Sequence, residues 1–380
     1  MPFKSKLANT EASIFGVMSQ MAKDYGAINL SQGFPNFDID PQLIDLANHY
    51  MKEGLNQYAP MPGVPALRQA ISQKHNDCQN THYDPDKEIT ITAGATQALA
   101  AAIAALVHPS DEIIVFEPTY DAYVPLIEVQ GGKAVPLNLA APNFLPDWNE
   151  VAQAISEKTR GIIVNTPHNP CGSTLRKEDL DELAALAKKH DLYIISDEVY
   201  EHIVFEGHKH ISVGSHKDLK GRTFVISSFG KTFHTTGWKV GYCLAPEDLS
   251  WEFRKVHQFM VYSVNTPAQY AYAEYLKTPE NYLNVAKFYQ EKRDFILNEL
   301  RDTSFSLSPA SGSYFQLLDY SDFHNGTGVE LVDKLVKENG VALIPLEPFY
   351  LKYSAPSSIR ICFAKTNDVL QAGVDRLKKL

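Results

Sequence analysis

A single lysine, Lys231, lies in the stretch SSFGKTFHTTGWKVGY (227–242), among glycines, serines and threonines. The triplet Gly230-Lys231-Thr232 has the ending of a nucleotide-binding P-loop, which requires another glycine five positions before the second one. That position is Val225, inside an apolar run, so the sequence excludes a P-loop. An amine beside small residues is better suited to form a covalent imine with a carbonyl compound, and its neighbours remain candidates for binding phosphate.

Other chemically useful residues follow the predicted strands at the points where those strands end. Ligands of open parallel sheets bind at this edge, where strands end and loops begin. A helix start with free N–H groups, an aromatic ring, an amide, a carboxylate, a phenol, a hydroxyl and the amine would meet there. The residues are Gly94, Ala95, Thr96, Tyr120, Asn169, Asp197, Tyr200, Ser228 and Lys231. This set predicts a site for a phosphorylated aromatic cation.

Each of these residues also has an ordinary structural explanation when it is taken alone. The segment 94–96 can be a plain strand-to-helix turn, and Asp197 can be a helix N-cap. Asn169 lies between prolines, where asparagine is common in turns. Tyrosine often only packs, and lysine is usually a solvated surface residue. It is the combination at one sheet edge that favours a binding site.

The elements that must position these residues repeat one pattern between residues 88 and 245: a short apolar strand, a loop and a helix. Strands are predicted at 88–93, 111–117, 160–166, 190–197 and 222–228. Their apolar residues are continuous rather than alternating, and helical stretches such as 95–106 and 177–190 separate them. These features predict an α/β fold with a mainly parallel sheet that helices cover on both faces.

A second, smaller domain is predicted from the C-terminal part of the chain. A helical pattern over 266–300, interrupted at Thr278-Pro279, leads into strands at 311–320, 340–346 and 357–364. The predicted division is an N-terminal segment of residues 1–45 that packs with the small domain, a large domain of residues 46–275 and a small α+β domain of residues 276–380.

Composition limits the classes of partner. The 380 residues include 44% hydrophobic and 21% charged residues, which is ordinary for a globular protein, and the net charge of -10 argues against nucleic acid as a partner. The longest apolar run, 98–107, is too short to cross a membrane. The first residues lack a secretory signal, and the four scattered cysteines favour a cytoplasmic protein with reduced thiols.

The spacing of Asn169-Pro170, Asp197-Glu-Val-Tyr200 and Ser227-Ser-Phe-Gly-Lys231 resembles that of the class I/II pyridoxal-phosphate aminotransferases of fold type I. More narrowly, the chain resembles the branch that contains methionine and kynurenine/glutamine aminotransferases, from SQGFPNFD (31–38) to Arg360. The resemblance implies a pyridoxal-phosphate-dependent transferase-like fold with a seven-stranded sheet in the large domain. It also implies a homodimer with composite active sites.

For the cofactor ring, the resemblance assigns a role to each candidate. Lys231 would form the imine with the cofactor aldehyde and later move the substrate proton. Asp197 would keep the pyridine nitrogen protonated, so that the ring withdraws electrons. Tyr200 and Asn169 would bind the phenolic oxygen of the ring, and Tyr120 would stack on its face.

For the cofactor phosphate, the resemblance assigns the helix start and several side chains. The set is Gly94, Ala95, Thr96, Ser228 and Lys239, with Tyr58 supplied by the neighbouring subunit. Many relatives carry arginine at the position of Lys239, and a lysine there is a point charge rather than a bidentate fork.

Arg360 is the candidate for the substrate carboxylate. In SSIRICFA, Ile359, Ile361 and Phe363 alternate to one face of a strand and Arg360 lies on the other, where a planar guanidinium suits a carboxylate. A surface ion pair is the structural alternative. The resemblance implies that Arg360, Asn169 and the backbone of Gly33 hold the α-carboxylate of an amino acid or 2-oxo acid.

The substrate side-chain pocket is predicted from aromatic residues. The predicted lining is Phe15, Phe34, Tyr58 and Tyr120, with residues near 259–264 of a second copy. An aromatic lining without a second arginine favours methionine, aromatic amino acids or glutamine over aspartate. The predicted activity is transfer of the α-amino group to a 2-oxo acid by a ping-pong mechanism.

Other functions remain as alternatives. A β-lyase acting on cysteine conjugates or cystathionine would use the same Lys231 and Arg360, but would release pyruvate and ammonia without a 2-oxo acid acceptor. A non-catalytic regulator is disfavoured because every chemical position is filled. A dehydrogenase is disfavoured because no GxGxxG motif opens the first strand-helix unit of the chain. A serine hydrolase is disfavoured because the chain has no GxSxG motif. His202, His208 and His210 lack the spacing of a metal site, so no metal is predicted and a polar hairpin is expected there.

Overall fold

A mixed sheet at the centre of the larger part of the chain carries most of the residues singled out above. The computed structural model describes residues 4–8, 10 and 12–380. The strands are β1 (Ile28–Asn29), β2 (Ile89–Thr92), β3 (Glu112–Glu117), β4 (Lys133–Asn138), β5 (Thr159–Asn165), β6 (Tyr193–Asp197), β7 (Thr223–Ser228), β8 (Gly241–Leu244), β9 (Phe315–Asp319), β10 (Val341–Ala342), β11 (Ile344–Pro345) and β12 (Ser358–Cys362).

Helices connect these strands and cover the sheet. They are α1 (Ile14–Asp24), α2 (Pro41–Lys52), α3 (Pro65–Gln79), α4 (Ala95–Leu106), α5 (Tyr123–Val129), α6 (Trp148–Ala154), α7 (Lys177–His190), α8 (Phe229–Thr232), α9 (Glu247–Met260), α10 (Thr266–Tyr275), α11 (Glu280–Leu283), α12 (Val285–Glu299), α13 (Gly328–Lys334) and α14 (Asn367–Leu377).

The central sheet has the order β2-β8-β7-β6-β5-β3-β4, so the prediction of a mainly parallel, seven-stranded sheet is confirmed. Only β8 runs antiparallel, to β2 and to β7. The five predicted strands are present with boundaries shifted by at most a few residues. Two strands were not predicted: β4, an edge strand that contains Pro136, and β8, the antiparallel strand.

The continuous apolar strands reflect burial on both faces of the sheet. Along β3, Ile113 packs with α4 and α9 on one face, while Ile114 packs with α6 and α7 on the other. The same alternation occurs at Ile194 and Ile195 of β6. Neither face of these strands meets water, which explains why their sequence does not alternate.

A second group of strands forms the smaller part of the fold. β11, β12 and β9 make an antiparallel sheet, and β1 pairs in parallel with β10, with Ile28 opposite Val341. The predicted break in the long helical pattern is confirmed, because α10 ends at Tyr275 and α11 begins at Glu280. The predicted strand at 340–346 is two short strands on either side of Leu343. The domain limits at 45 and 275 remain predictions.

Within the ranges that the structure describes, no helix combines the length and the apolar character that a membrane crossing requires. All four cysteines are free thiols, and three of them, Cys171, Cys243 and Cys362, are buried.

Candidate active site

Lys231 lies in a short helical turn directly after the centre of the sheet. β7 ends at Ser228, whose hydroxyl caps α8 by accepting the N–H of Gly230 at 3.2 Å. The Lys231 amine donates to the carbonyl oxygen of Gly33 at 3.0 Å. Burial, together with the charge of Arg360, lowers the pKa of Lys231 to about 8, and Asp197 opposes this shift. An amine with this pKa is partly unprotonated near neutral pH and is therefore a nucleophile.

The Lys231 amine faces a cavity of about 190 Å³. Ten of the residues predicted to hold the cofactor line it: Gly94, Ala95, Thr96, Tyr120, Asn169, Asp197, Tyr200, Ser228, Lys231 and Lys239. They come from the ends of different strands, as expected for the carboxyl edge of a parallel sheet. The remaining lining residues, which were not predicted, are Leu99, Asn165, Val199, Gly230, Thr236 and Val240.

Asp197 is the last residue of β6 and is 4% exposed. Its carboxylate accepts the hydroxyl of Tyr123 at 2.7 Å and, at 3.4 Å, the N–H of Val199. Burial raises the pKa of Asp197 to about 6, and the two hydrogen bonds oppose this rise. Tyr123 was missed in the sequence, although its spacing of three from Tyr120 would have placed both rings on one side of a turn.

Three hydrogen bonds connect Asp197 to Arg360 across the site. The Asn165 side chain donates to the Asp197 carbonyl oxygen at 2.9 Å and accepts the N–H of Asn169 at 2.8 Å. Arg360 donates to Oδ1 of Asn169 at 2.7 Å. Because a guanidinium can only donate, it fixes the orientation of the amide and leaves Nδ2 of Asn169 as a donor for a ligand.

Arg360 is fully buried in the middle of β12. Its second terminal nitrogen donates to the carbonyl oxygen of Ser31 at 2.8 Å, and its Cζ lies 3.9 Å from the ring centroid of Phe315 and 5.1 Å from that of Phe15. No carboxylate of the described residues pairs with it, and its Nε is buried without a hydrogen-bond partner there. The surface ion pair is therefore ruled out, because every residue of β12, Arg360 included, is buried.

The start of α4, which also lines the cavity, offers an anion site. Gly94, at φ 78°, precedes α4, whose first N–H groups have no partner within the helix. A Cβ atom at Gly94 would lie 3.3 Å from the Lys239 amine, so the lysine and the helix start are adjacent. A positive side chain beside a helix N-terminus is a suitable arrangement for phosphate.

A buried network supports the base of the cavity. The Glu201 carboxylate contacts the Lys74 amine at 2.8 Å and accepts the hydroxyls of Ser227 at 2.6 Å and of Tyr242 at 2.5 Å. Burial alone would raise the pKa of Glu201, but Lys74 holds it well below its usual range. Glu201 and Ser227 are direct chain neighbours of the cavity residues Tyr200 and Ser228, so the network fixes the backbone that carries them.

The histidine cluster is not a polar hairpin. His202 and His210 lie in an irregular segment with only 8% and 3% of their side chains exposed. Burial lowers the pKa of His202 to about 3, and His210 contacts Glu198 at 2.9 Å. His208 is exposed. In the described part of the chain, no group of three or more His, Cys, Asp or Glu side chains is arranged to hold a metal ion.

Other predicted residues lie outside the cavity of a single chain. Phe15 is half-buried next to Arg360, and Gly33 contacts Lys231 through its carbonyl. Phe34 is 46% exposed and Tyr58 is 83% exposed, with the Tyr58 ring 5.7 Å from that of Tyr262. Within one chain, therefore, neither Phe34 nor Tyr58 forms a wall of the cavity. Tyr314, which was not predicted, lies with its ring 5.5 Å from the Lys231 amine.

Comparison with known proteins agrees with this architecture. Residues 25–377 match the family model of aminotransferase class I and II, and the chain belongs to this family. Its fold is that of the fold type I aminotransferases, and it is an enzyme of the aminotransferase class.

Particular relatives narrow the resemblance. The chain is 47% identical to methionine aminotransferase of Escherichia coli, over 99% of this chain and 98% of the relative. A crystal structure of an Escherichia coli methionine aminotransferase superposes with a TM-score of 0.98 over 100% of both chains. Human kynurenine–oxoglutarate transaminase 1 is 32% identical over 95% of this chain and 94% of its own. The predictions of fold and enzyme class are confirmed, and the β-lyase alternative is not favoured.

The lowered pKa of Lys231 can be tested by competitive labelling with acetic anhydride, read by mass spectrometry. Reactivity of Lys231 in the protein without cofactor should rise with pH and reach half its maximum near pH 8. A free lysine derivative, the control, should do so near pH ~10.4. Asp197→Asn should move the Lys231 midpoint lower, because the carboxylate favours the charged amine. A midpoint that matches the free derivative would contradict the electrostatic description of the site.

Proposed function

We propose that this aminotransferase uses pyridoxal phosphate and prefers methionine or an aromatic amino acid as donor, with glutamine as a further donor. The observation that carries the proposal is that one cavity brings together the Lys231 amine, a buried carboxylate, Asp197, and an anion site at Gly94 and Lys239. These groups fit an aromatic cation with an aldehyde and a phosphate. When bound, the cofactor supplies a carbonyl that joins to amines and a ring that accepts the electrons of a broken Cα–H bond.

The ring would be held by residues that the structure brings to the cavity. The Asp197 carboxylate would accept a hydrogen bond from the protonated pyridine nitrogen, and a cation there would offset the burial that raises the pKa of this carboxyl. Tyr123 orients the carboxylate through its 2.7 Å hydrogen bond. Nδ2 of Asn169 and the hydroxyl of Tyr200 would bind the phenolic oxygen, and Tyr120 would stack on the ring.

The phosphate would be held at the start of α4. Backbone N–H groups at Ala95 and Thr96, with the hydroxyls of Thr96 and Ser228, would donate to its oxygens, and Lys239 would supply charge. Gly94 allows the close approach, since a side chain there would crowd the Lys239 amine at 3.3 Å. Tyr58 of a second copy would complete this end of the site.

Lys231 would carry the proton in each half-reaction. With the substrate bound, Nζ of Lys231 would accept the proton that leaves the substrate Cα and would hold it for the return step. A pKa of about 8 suits both directions, because the amine is close to half-protonated at moderately alkaline pH. The hydrogen bond to the Gly33 carbonyl, at 3.0 Å, keeps the amine on this side of the cavity.

The substrate carboxylate would be bound at Arg360. Its Nε has no partner among the described residues, and its Nη1 is held at 2.7 Å by Asn169, so the guanidinium is oriented and still able to donate. Asn169 and the backbone N–H of Gly33 would contribute further hydrogen bonds. A Cβ atom at Gly33 would lie 2.8 Å from the ring of Phe315, so only glycine fits there without displacement of the ring.

The donor preference rests on the surroundings of Arg360. Phe15 lies 5.1 Å from its guanidinium. Arg360 is linked to the cavity through its hydrogen bond to Asn169, and no arginine is among the residues that line the cavity. An apolar side chain such as that of methionine would lose water against these rings, whereas a second carboxylate would be desolvated without a partner. The Escherichia coli relative that is 47% identical is a methionine aminotransferase, which supports the same preference.

We further propose a cytoplasmic homodimer with composite sites. Tyr58, Phe259, Met260 and Tyr262 are large apolar residues that are 44% to 88% exposed in the single chain. Exposed patches of this kind mark protein interfaces. Burial against a second copy would bring Tyr58 and residues 259–264 to the neighbouring site. The free state of all four cysteines is consistent with a reducing compartment.

A panel of amino donors with one fixed 2-oxo acid tests the proposed activity. Methionine and phenylalanine should have the highest kcat/KM, glutamine should be accepted, and aspartate should lie at least about tenfold lower because its second carboxylate has no partner. Lys231→Ala, the control, should show no transamination. The highest kcat/KM for aspartate, or full turnover in the Lys231 variant, would contradict the proposal.

Mixed dimers test the composite site. Tyr58→Ala should lower activity at limiting pyridoxal phosphate about tenfold through loss of a hydrogen bond to a charged group, and Lys231→Ala should be inactive. Refolding the two variants together should restore activity, because each mixed dimer contains one site with both residues. Sedimentation at the mass of one 42.4 kDa chain, or no recovered activity, would contradict the dimer.

A further inference from the structure

A buried carboxylate outside the cavity binds a loop of the smaller part of the fold. Glu117, the last residue of β3, is fully buried and forms no ion pair with any described residue. Its Oε1 accepts the backbone N–H of Leu351 at 2.6 Å, and its Oε2 accepts that of Tyr353 at 3.1 Å. The backbone N–H of Lys352 lies between them and donates to Oε1 at 3.2 Å and to Oε2 at 3.3 Å. Three successive backbone N–H groups thus surround one carboxylate, an arrangement known to bind anions.

The loop that Glu117 binds also carries an aromatic residue of the substrate region. Phe349 is 1% exposed, and its carbonyl accepts the N–H of Thr119 at 2.8 Å. The ring of Phe349 lies 5.8 Å from that of Phe15 and 5.9 Å from the Arg360 guanidinium. The carboxylate and the ring are therefore two ends of one docked loop, close to the group proposed to hold the substrate carboxylate.

We propose that Glu117 is a positioning residue for donor specificity. By fixing the N–H groups of residues 351–353, it holds the ring of Phe349 against Phe15 as a wall for large apolar side chains. A donor with only a methyl side chain would not extend to this wall. The identity of the preferred large donor rests on the proposed function, whereas the contact between Glu117 and the loop does not.

If Glu117 positions the loop for large donors, its loss should change the kinetics of large and small donors differently, whereas a loss of general stability should affect both alike. Glu117→Gln replaces one acceptor oxygen by an NH2 group, which faces N–H donors and cannot accept their hydrogen bonds. We expect the KM for phenylalanine and methionine to rise about tenfold with little change in kcat. The kcat/KM for alanine should stay within about twofold, since a small side chain gains little from an apolar wall.

Hydrogen exchange of the loop supplies a readout that does not depend on activity. In the holoenzyme, amides of residues 351–353 should exchange faster in Glu117→Gln than in the unmodified chain. Glu112→Gln is the matched control at the other end of β3, where the carboxylate contacts Ser156 and Lys133 instead of the loop. This control should leave both the exchange of residues 351–353 and the ratio of phenylalanine to alanine kcat/KM unchanged.

Phe349→Leu tests the contribution of the ring separately from the contact between Glu117 and the loop. It should lower the ratio of phenylalanine to alanine kcat/KM as Glu117→Gln does, while the amides of residues 351–353 remain protected. An unchanged ratio in either variant, an equal loss for alanine and phenylalanine, or unchanged exchange in Glu117→Gln would overturn the proposal. If Glu117→Gln does not fold, the ratio in Phe349→Leu decides. A preference of the unmodified enzyme for aspartate would instead overturn only the proposed donor.

Discussion

Removal of the Lys231 amine from bulk water is the constraint on which the site depends. Lysine in water is almost fully protonated near neutral pH, and burial brings the pKa of Lys231 to about 8. Such burial costs free energy, which the surrounding structure must offset with other interactions. The hydrogen bond to the Gly33 carbonyl and the charge of Asp197 retain the protonated form in part, so the amine can serve both as nucleophile and as base.

The other buried charges form two supports around this amine. Asp197, Asn165, Asn169 and Arg360 are connected by hydrogen bonds of 2.7 to 2.9 Å, which tie the end of β6 to β12 of the smaller sheet. Below the cavity, Lys74 and Glu201 are paired at 2.8 Å with 4% and 8% of their side chains exposed. Removal of one partner from such a pair typically costs about 3–5 kcal/mol, because the other charge is left buried without a partner.

The sequence identified the cavity residues because they follow strands in a parallel sheet. Strand ends of that sheet meet at one edge whatever the tertiary details, which is why Asp197, Asn169 and Lys231 could be placed together from local patterns. Arg360 was selected by alternation in β12, but its complete burial depends on packing by Phe315 and Ser31, which a local pattern does not reveal.

Residues defined by long-range contacts were missed. Tyr123 and Asp197 are 74 positions apart, and Glu117 meets Leu351 across 234 positions. β8 was also missed, because its antiparallel place between β2 and β7 is set by tertiary packing rather than by a local pattern. His202 and His210 appeared to be surface residues because histidine is polar, whereas their burial follows from the network at Glu198 and Glu201.

Borohydride reduction of the protein loaded with pyridoxal phosphate tests the central claim most directly. Borohydride reduces the imine between a carbonyl group and an amine to a stable secondary amine. Peptide mass spectrometry then locates the residue that carries the added mass. The structure predicts the adduct on Lys231, because its amine faces the cavity with a pKa of about 8. An adduct on Lys239 or Lys74, or one spread over surface lysines with Lys231 unmodified, would contradict the account.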